Sequence, residues 1–310
     1  MIPTLAKPWR VLAGLAAGGL AVAGCGGDDD SAVGASDGPY VVATTGIWAD
    51  VVGQVACDGT LAVRTLLPAG ADTHAYEPSL REREVLDGAA LVVANGLGLE
   101  EGLDDTLATV ADGGVPLFRI GDHVEALDGD EESEDGADPH VWFDPTRVRA
   151  ALPALGDALV AAGADGDRID ACVTATQEDL TALDADVATT LDAVPADRRV
   201  LVTNHDSLGY LADRYDFTVL GSILPSTSTL TEASPGQLED LGEAIATEGV
   251  PAIFTETISS ADDAEALADR LGVDVVELYT ESLGEPGSGV ESYADFMRFD
   301  AEAIADALGS

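Results

Sequence analysis

No proline interrupts the chain between Pro153 and Pro195, and that absence constrains the fold more than any other feature. Within this reach apolar residues recur at three- and four-residue steps, as at Leu180, Leu183, Val187 and Leu191, the spacing of one buried helical face. The pattern predicts helix over about residues 145–194, broken in two by the stretch GADGD at 163–167. At about 1.5 Å of rise per residue, a second helix of roughly 25 residues approaches 40 Å. A helix of that length can bridge two lobes.

The flanks fit a bridge. On the N-terminal side, YVVATT (40–45), LAVRTLLP (61–68) and ALVVANG (90–96) read as short buried strands. They alternate with helical patterns through WADVVGQVA and SLREREVLDGA (79–89). On the C-terminal side the same grammar restarts. RRVLVTNH (198–205), FTVLGSIL (217–224), PAIFTET (251–257) and VDVVELYT (273–280) read as strands, with helices between them and a last helix over 293–309. Strand-helix alternation with apolar strands argues for parallel sheets covered on both faces. The expected fold is α/β: two doubly wound parallel-sheet lobes, residues 39–162 and 195–310, joined by a long rigid helix within 163–194.

Composition narrows the function. Of 310 residues, 46% are hydrophobic, enough for two cores, while 14 basic against 58 acidic residues leave a net charge of −44. Such a field repels nucleic acid phosphates and anionic headgroups, so no nucleic acid partner is expected. As a bulk property the charge speaks first to solubility. Residues 1–24 carry a short basic region (Lys7, Arg10) and an apolar run too short and glycine-rich to span a bilayer comfortably, and read as a signal peptide. The run ends in VAGC, which resembles the lipobox of bacterial-type lipoproteins and would make Cys25 the lipid-bearing first residue. Residues 25–38, small, polar and acidic, read as a flexible tether. The protein is therefore expected outside the cytoplasm, held at the cell membrane by an N-terminal lipid. Cys57 and Cys172 remain, an even pair in an oxidising compartment; they either form a disulfide or serve as two small buried apolar residues.

Ligands in doubly wound sheets bind beyond the carboxyl ends of the strands. His74 follows the strand at 61–68, His205 ends the strand at 198–205, and Glu281 follows the strand at 273–280. His140 precedes VWFDP, just before the helical bridge, while His123 reads as a surface residue. Three imidazoles and one carboxylate form a donor set for a divalent transition metal, one that suits zinc better than the more oxygen-demanding manganese. Asp72, Glu77, Asp138, Asp144 and Asp206 lie close enough in sequence to orient the imidazoles. The stretch at 128–140, DGDEESEDGADPH, reads as an acidic mobile loop.

The segment LLPAGADTHAYEPS resembles the first ligand segment of the cluster A substrate-binding lipoproteins that feed zinc or manganese ABC importers. NGLGLEEGLDD (95–105), DPHVWFDP (138–145), NHDSLGYLADRYDF (204–217), STSTLTEASPGQL (226–238) and IFTETISS (253–260) resemble that family in the same order, across essentially the whole mature chain. The resemblance implies metal held between two lobes by His74, His140 and His205, with Glu281 at an acidic position usually filled by aspartate. A histidine at the third position is the zinc-type pattern. Thr73 stands where a proline is usual, which would loosen its loop, and Glu256 matches a recurrent acid read as supporting the cleft. The acidic loop lacks the histidines that zinc-type members often carry.

The leading expectation is a monomeric, lipid-anchored receptor that captures Zn²⁺, with Mn²⁺ as the alternative cargo, and hands it to the permease of an ABC transporter. Two other classes compete: a metal-dependent adhesin, and a zinc hydrolase. The hydrolase would need an open coordination position and a base. No H-E-x-x-H pair is present, which leaves Glu281 as the only base at hand. A closed set of four ligands is a carrier's arrangement, and no enzyme activity is expected.

Overall fold

The computed structural model describes residues 38–57, 59–129, 136–258 and 260–309. The signal peptide, Cys25, nearly all of the tether and the centre of the acidic loop lie outside the described residues.

The first lobe runs β1 (Tyr40–Ala43), α1 (Gly46–Val55), β2 (Ala62–Thr65), α2 (Leu80–Asp87), β3 (Leu91–Ala94), α3 (Asp104–Asp112), β4 (Leu117–Arg119). Two helices follow, α4 (Pro145–Ala161) and α5 (Gly166–Leu191). The second lobe runs β5 (Val200–His205), α6 (Gly209–Tyr215), β6 (Thr218–Leu224), α7 (Pro235–Glu248), β7 (Ala252–Glu256), α8 (Asp262–Leu271), β8 (Asp274–Leu278), and ends in α9 (Tyr293–Gly309). Each lobe holds a four-stranded parallel sheet, ordered β2-β1-β3-β4 and β6-β5-β7-β8. The shared order puts a topological switch between β1 and β3 in one lobe and between β5 and β7 in the other, where a crevice opens at the strand ends. Pattern reading did not single out α3 and β4, because a three-residue strand is too short to show a period.

Side-chain alternation explains why both sheet faces are covered. Val41, Ala43, Leu91 and Val93 point into one core, and Val42, Val92 and Ala94 into another. In the second lobe Leu201, Ala252 and Phe254 share the first core, while Val202 and Ile253 face a third. The first core runs through both lobes and gathers Trp48, Trp142, Tyr210, Tyr293 and Phe296.

α5 has 26 residues, so it spans about 39 Å. Asp165 caps it by accepting from Arg168 N at 3.1 Å, and Gly163, at φ 113°, turns the chain out of α4 just before. Ile169, Val173, Leu180, Leu183, Val187 and Leu191 form its buried face, packed on α4, α9 and α1. Pro153 sits inside α4, where its missing N–H leaves the Arg149 carbonyl unserved; Gln177 Nε2 of α5 donates to that carbonyl at 3.2 Å. Cys57, beyond the end of α1, and Cys172 of α5 are disulfide-bonded, with Cα atoms 6.2 Å apart.

Candidate metal centre

Four segments meet where the two lobes face each other. His74 lies in the loop after β2. Asp72 Oδ1 shapes that loop by accepting from His74 N at 3.0 Å and Ala75 N at 3.3 Å. The His74 carbonyl accepts from Gly102 N at 2.9 Å, and a Cβ at Gly102 would lie 2.5 Å from the Tyr76 carbonyl, so only glycine allows the two loops to touch. The second of these loops, residues 95–101, is organised by buried Glu100, which accepts from Thr44 Oγ1 and Asn95 N at 2.7 Å and from Gly96 N at 3.0 Å. His140 opens a short 3-10 turn before α4, held there by Asp138. His205 is the last residue of β5, and Glu281 lies three residues beyond β8.

The four side chains are buried: His74 and Glu281 are 1% and 2% exposed, and His140 and His205 0%. Glu281 Oε1 lies 3.3 Å from His74 Nε2, 3.7 Å from His140 Nε2 and 3.2 Å from His205 Nε2. His140 Nε2 and His205 Nε2 are 3.0 Å apart. One donor atom from each residue falls within 4.8 Å of the others.

Behind each imidazole stands a carboxylate on the far nitrogen. Asp138 Oδ1 is 2.8 Å from His140 Nδ1 and also accepts from His140 N at 2.9 Å. Glu256 Oε1 is 2.5 Å from His205 Nδ1, the two residues ending adjacent strands at the second lobe's switch point. Glu101 Oε1 faces His74 Nδ1 at 3.3 Å, an electrostatic approach and not an aligned hydrogen bond. With a proton on each Nδ1, all three Nε2 lone pairs point inward. Two such lone pairs 3.0 Å apart repel unless a cation or a proton lies between them.

The charges behave accordingly. Burial alone would lower the His74 pKa, but Glu281 and Glu101 outweigh it and push it up to about 9. Burial is likewise overridden at His205, which Glu256 and Glu281 raise well above the usual imidazole range. Burial would raise Glu281, yet the surrounding imidazoles, His74 foremost, hold it well below the usual carboxylate range.

The orienting acids differ in part from those expected from sequence. Asp138 does face a ring. Asp72 serves the backbone around His74, and Asp144 is spent as the cap of α4 and the partner of Arg147. Glu77 is exposed. The acids on the other two rings are Glu256, read from sequence only as a cleft support, and Glu101, which sequence reasoning missed. Glu101 sits beside Glu100 in a run of acids, and no local signal tells the two apart. Thr73, where a proline is usual in the family it resembles, is 1% exposed, and its amide donates to Glu281 Oε2 at 3.3 Å, a bond a proline could not make. His123 stacks on Phe118, with ring centroids 4.5 Å apart, and is not one of the four clustered residues.

The profile of zinc-uptake complex component A, periplasmic (ZnuA), matches residues 41–307. The chain is 32% identical over 282 residues to zinc-binding protein TroA of Treponema pallidum, covering 88% of this chain and 90% of that protein. It is 28% identical over 291 residues to manganese-binding lipoprotein MntA of Halalkalibacterium halodurans, covering 93% and 95%. The solved structure of the Treponema pallidum protein superposes with a TM-score of 0.81 at 30% identity, over 88% of this chain and all of that one. The chain belongs to the ZnuA family of metal-binding proteins, the substrate-binding components of metal ABC importers, and is not an enzyme.

Proposed function

We propose that this protein captures Zn²⁺ through His74, His140, His205 and Glu281 and delivers it to the membrane permease of an ABC importer. The carrying observation is the size of the cage. Zinc bound to nitrogen or carboxylate oxygen at about 2.0–2.1 Å in a tetrahedron needs donor atoms about 3.3–3.4 Å apart. Four of the six separations between cage donors run from 3.0 to 3.7 Å, and all the donors lie within 4.8 Å of one another, which supports a cage able to close on an ion of this size. Manganese favours more donors and more oxygen than three imidazoles and a single carboxylate oxygen offer. Relatives named for each metal exist, so the proposal of zinc rests on the donor types, three imidazoles and one carboxylate.

A closed first shell is a carrier's arrangement, because catalytic zinc keeps a position open for water. Glu281 at the fourth corner is placed to bind and not to stand off as a base. Buried ligands also mean that release needs the lobes or their loops to part, a movement a permease can impose. Cys25 as lipid anchor, a location outside the cytoplasm and action as a monomer complete the proposal.

The test is calorimetry on chelator-stripped protein with X-ray absorption at the zinc edge. One Zn²⁺ per chain with four nitrogen or oxygen donors is expected. Tighter binding of Mn²⁺ than of Zn²⁺ would overturn the choice of metal. Failure of zinc uptake in a deletion strain under zinc starvation is expected for the transport role.

A further inference from the structure

The loop at residues 70–74 is clasped by the facing lobe at three points. Gly70 N donates to Ser282 Oγ at 2.8 Å, Thr229 Oγ1 donates to Asp72 Oδ2 at 2.8 Å, and Thr73 N donates to Glu281 Oε2 at 3.3 Å. Only the last of these reaches a donor group of the cage. It divides the work of the Glu281 carboxylate: Oε1 faces the three imidazole nitrogens, and Oε2 is occupied by a backbone amide of the other lobe.

We propose that the Thr73 amide is a specificity-determining group, which holds Glu281 to a one-oxygen contact with the metal and so keeps the cage four-coordinate. The inference rests on the metal-capture reading above and deepens it. A carboxylate can give a metal one oxygen or two, and the last torsion of a glutamate is broad, so little in the side chain itself decides between them. Each choice suits a different ion. Four donors at tetrahedral corners match zinc, while a second carboxylate oxygen adds a fifth donor of the kind manganese favours. An N–H donated to Oε2 opposes the second choice, because turning that oxygen to the metal bends the hydrogen bond and draws electron density from its acceptor. The threonine side chain is not the device: Thr73 Oγ1 is buried and makes no hydrogen bond among the described residues.

The experiment removes the N–H. Thr73→Pro deletes it. An ester in place of the peptide bond between residues 72 and 73, introduced with an α-hydroxy acid, deletes it without a ring and covers the case in which the proline variant does not fold. Thr73→Ala keeps the amide and removes the hydroxyl. Affinities for Zn²⁺ and Mn²⁺ are measured by chelator competition, and donors are counted by X-ray absorption on the zinc-loaded proteins. In the proline and ester variants the preference for zinc over manganese should fall by about tenfold, the worth of one hydrogen bond to a charged group, and the donor count should rise from four to five. Thr73→Ala keeps the N–H, so its donor count should stay at four. An unchanged preference and donor count in the ester variant would overturn the role of the amide while leaving zinc capture intact, as would five donors in the unsubstituted protein. An unsubstituted protein that binds no zinc would instead overturn the reading on which the inference rests.

Discussion

Glu256 Oε1 approaches His205 Nδ1 to 2.5 Å, the closest of the three carboxylate–imidazole contacts behind the cage. The contact fixes the tautomer, with the proton on Nδ1 and the lone pair of Nε2 directed at the cage. Glu256→Gln keeps the volume but replaces a charged acceptor with a weaker one whose amide group can turn the wrong way. We expect zinc affinity to fall by about 10- to 100-fold, the usual cost of losing such a support. Chelator competition measures it, and an unchanged circular dichroism spectrum separates the effect from misfolding.

Each cage histidine is expected to matter more than its support. His74→Ala, His140→Ala and His205→Ala each remove a donor and leave a buried gap. Each should lose more than the about 100-fold expected of a supporting carboxylate. Calorimetry on stripped protein reads the loss, and unchanged affinity in all three would end the assignment of this cage.

Much of this was legible in advance, and the reason is physical. Strands buried on both faces and helices with one apolar stripe leave strong periodic traces, so β1, β3, β5, β7 and the bridging α5 can be read from residue order. His205 and Glu281 were legible because strand ends in such sheets point into the crevice. His140 was the weakest on pattern alone, as it sits in a short turn without a period, and only the surrounding D-P-H motif singled it out. Glu101 and the Thr73 amide were not legible. The first is one acid among many, and the second is a backbone group, whose partner depends on how two loops distant in the chain come together.

Acid should release the metal, with the onset set by the cage. A free imidazole titrates near pH 6.5. In the metal-free cage Glu281 and Glu101 outweigh burial and hold His74 up to about 9. Protons and metal compete for the same nitrogen, so apparent zinc affinity should already fall as pH drops below about 9, by about tenfold per unit for each proton displaced. Calorimetry in buffers of different ionisation enthalpy counts those protons. Affinity constant from pH 8.5 to 6 would contradict the imidazole cage.

The Cys57–Cys172 bond closes a loop of sequence separation 115 and ties the end of α1 to the linking helix. Chain entropy assigns such a loop about 4–5 kcal/mol of stabilisation. Replacing both cysteines by serine should lower the melting temperature clearly, as reduction of the unsubstituted protein should. Zinc affinity at 25 °C should change little, since neither cysteine is among the four candidate ligands or the carboxylates behind them. Equal melting temperatures with and without a reductant would show that the bond contributes nothing.

Asp300 of α9 is 1% exposed; its Oδ1 accepts from Tyr279 N at 3.0 Å, two residues before Glu281, and its Oδ2 makes no hydrogen bond among the described residues. Burial lifts its pKa well above the usual carboxylate value. In the unfolded chain the same acid titrates near about 4. Above that pH the unfolded state has given up the proton and the folded state keeps it, so folding takes up a proton and stability falls as pH rises. The slope reaches about 1.4 kcal/mol per pH unit for one proton and ends only at the raised folded value. Asp300→Asn keeps an oxygen for the Tyr279 amide and cannot ionise. Near pH 4 the two proteins should have similar stability, and the variant should gain steadily on the unsubstituted protein as pH rises. Denaturant unfolding at pH 4.5, 6 and 7.5 tests this: parallel curves would mean that Asp300 is ionised in the fold across that range, as it is in the unfolded chain, and would overturn the expectation.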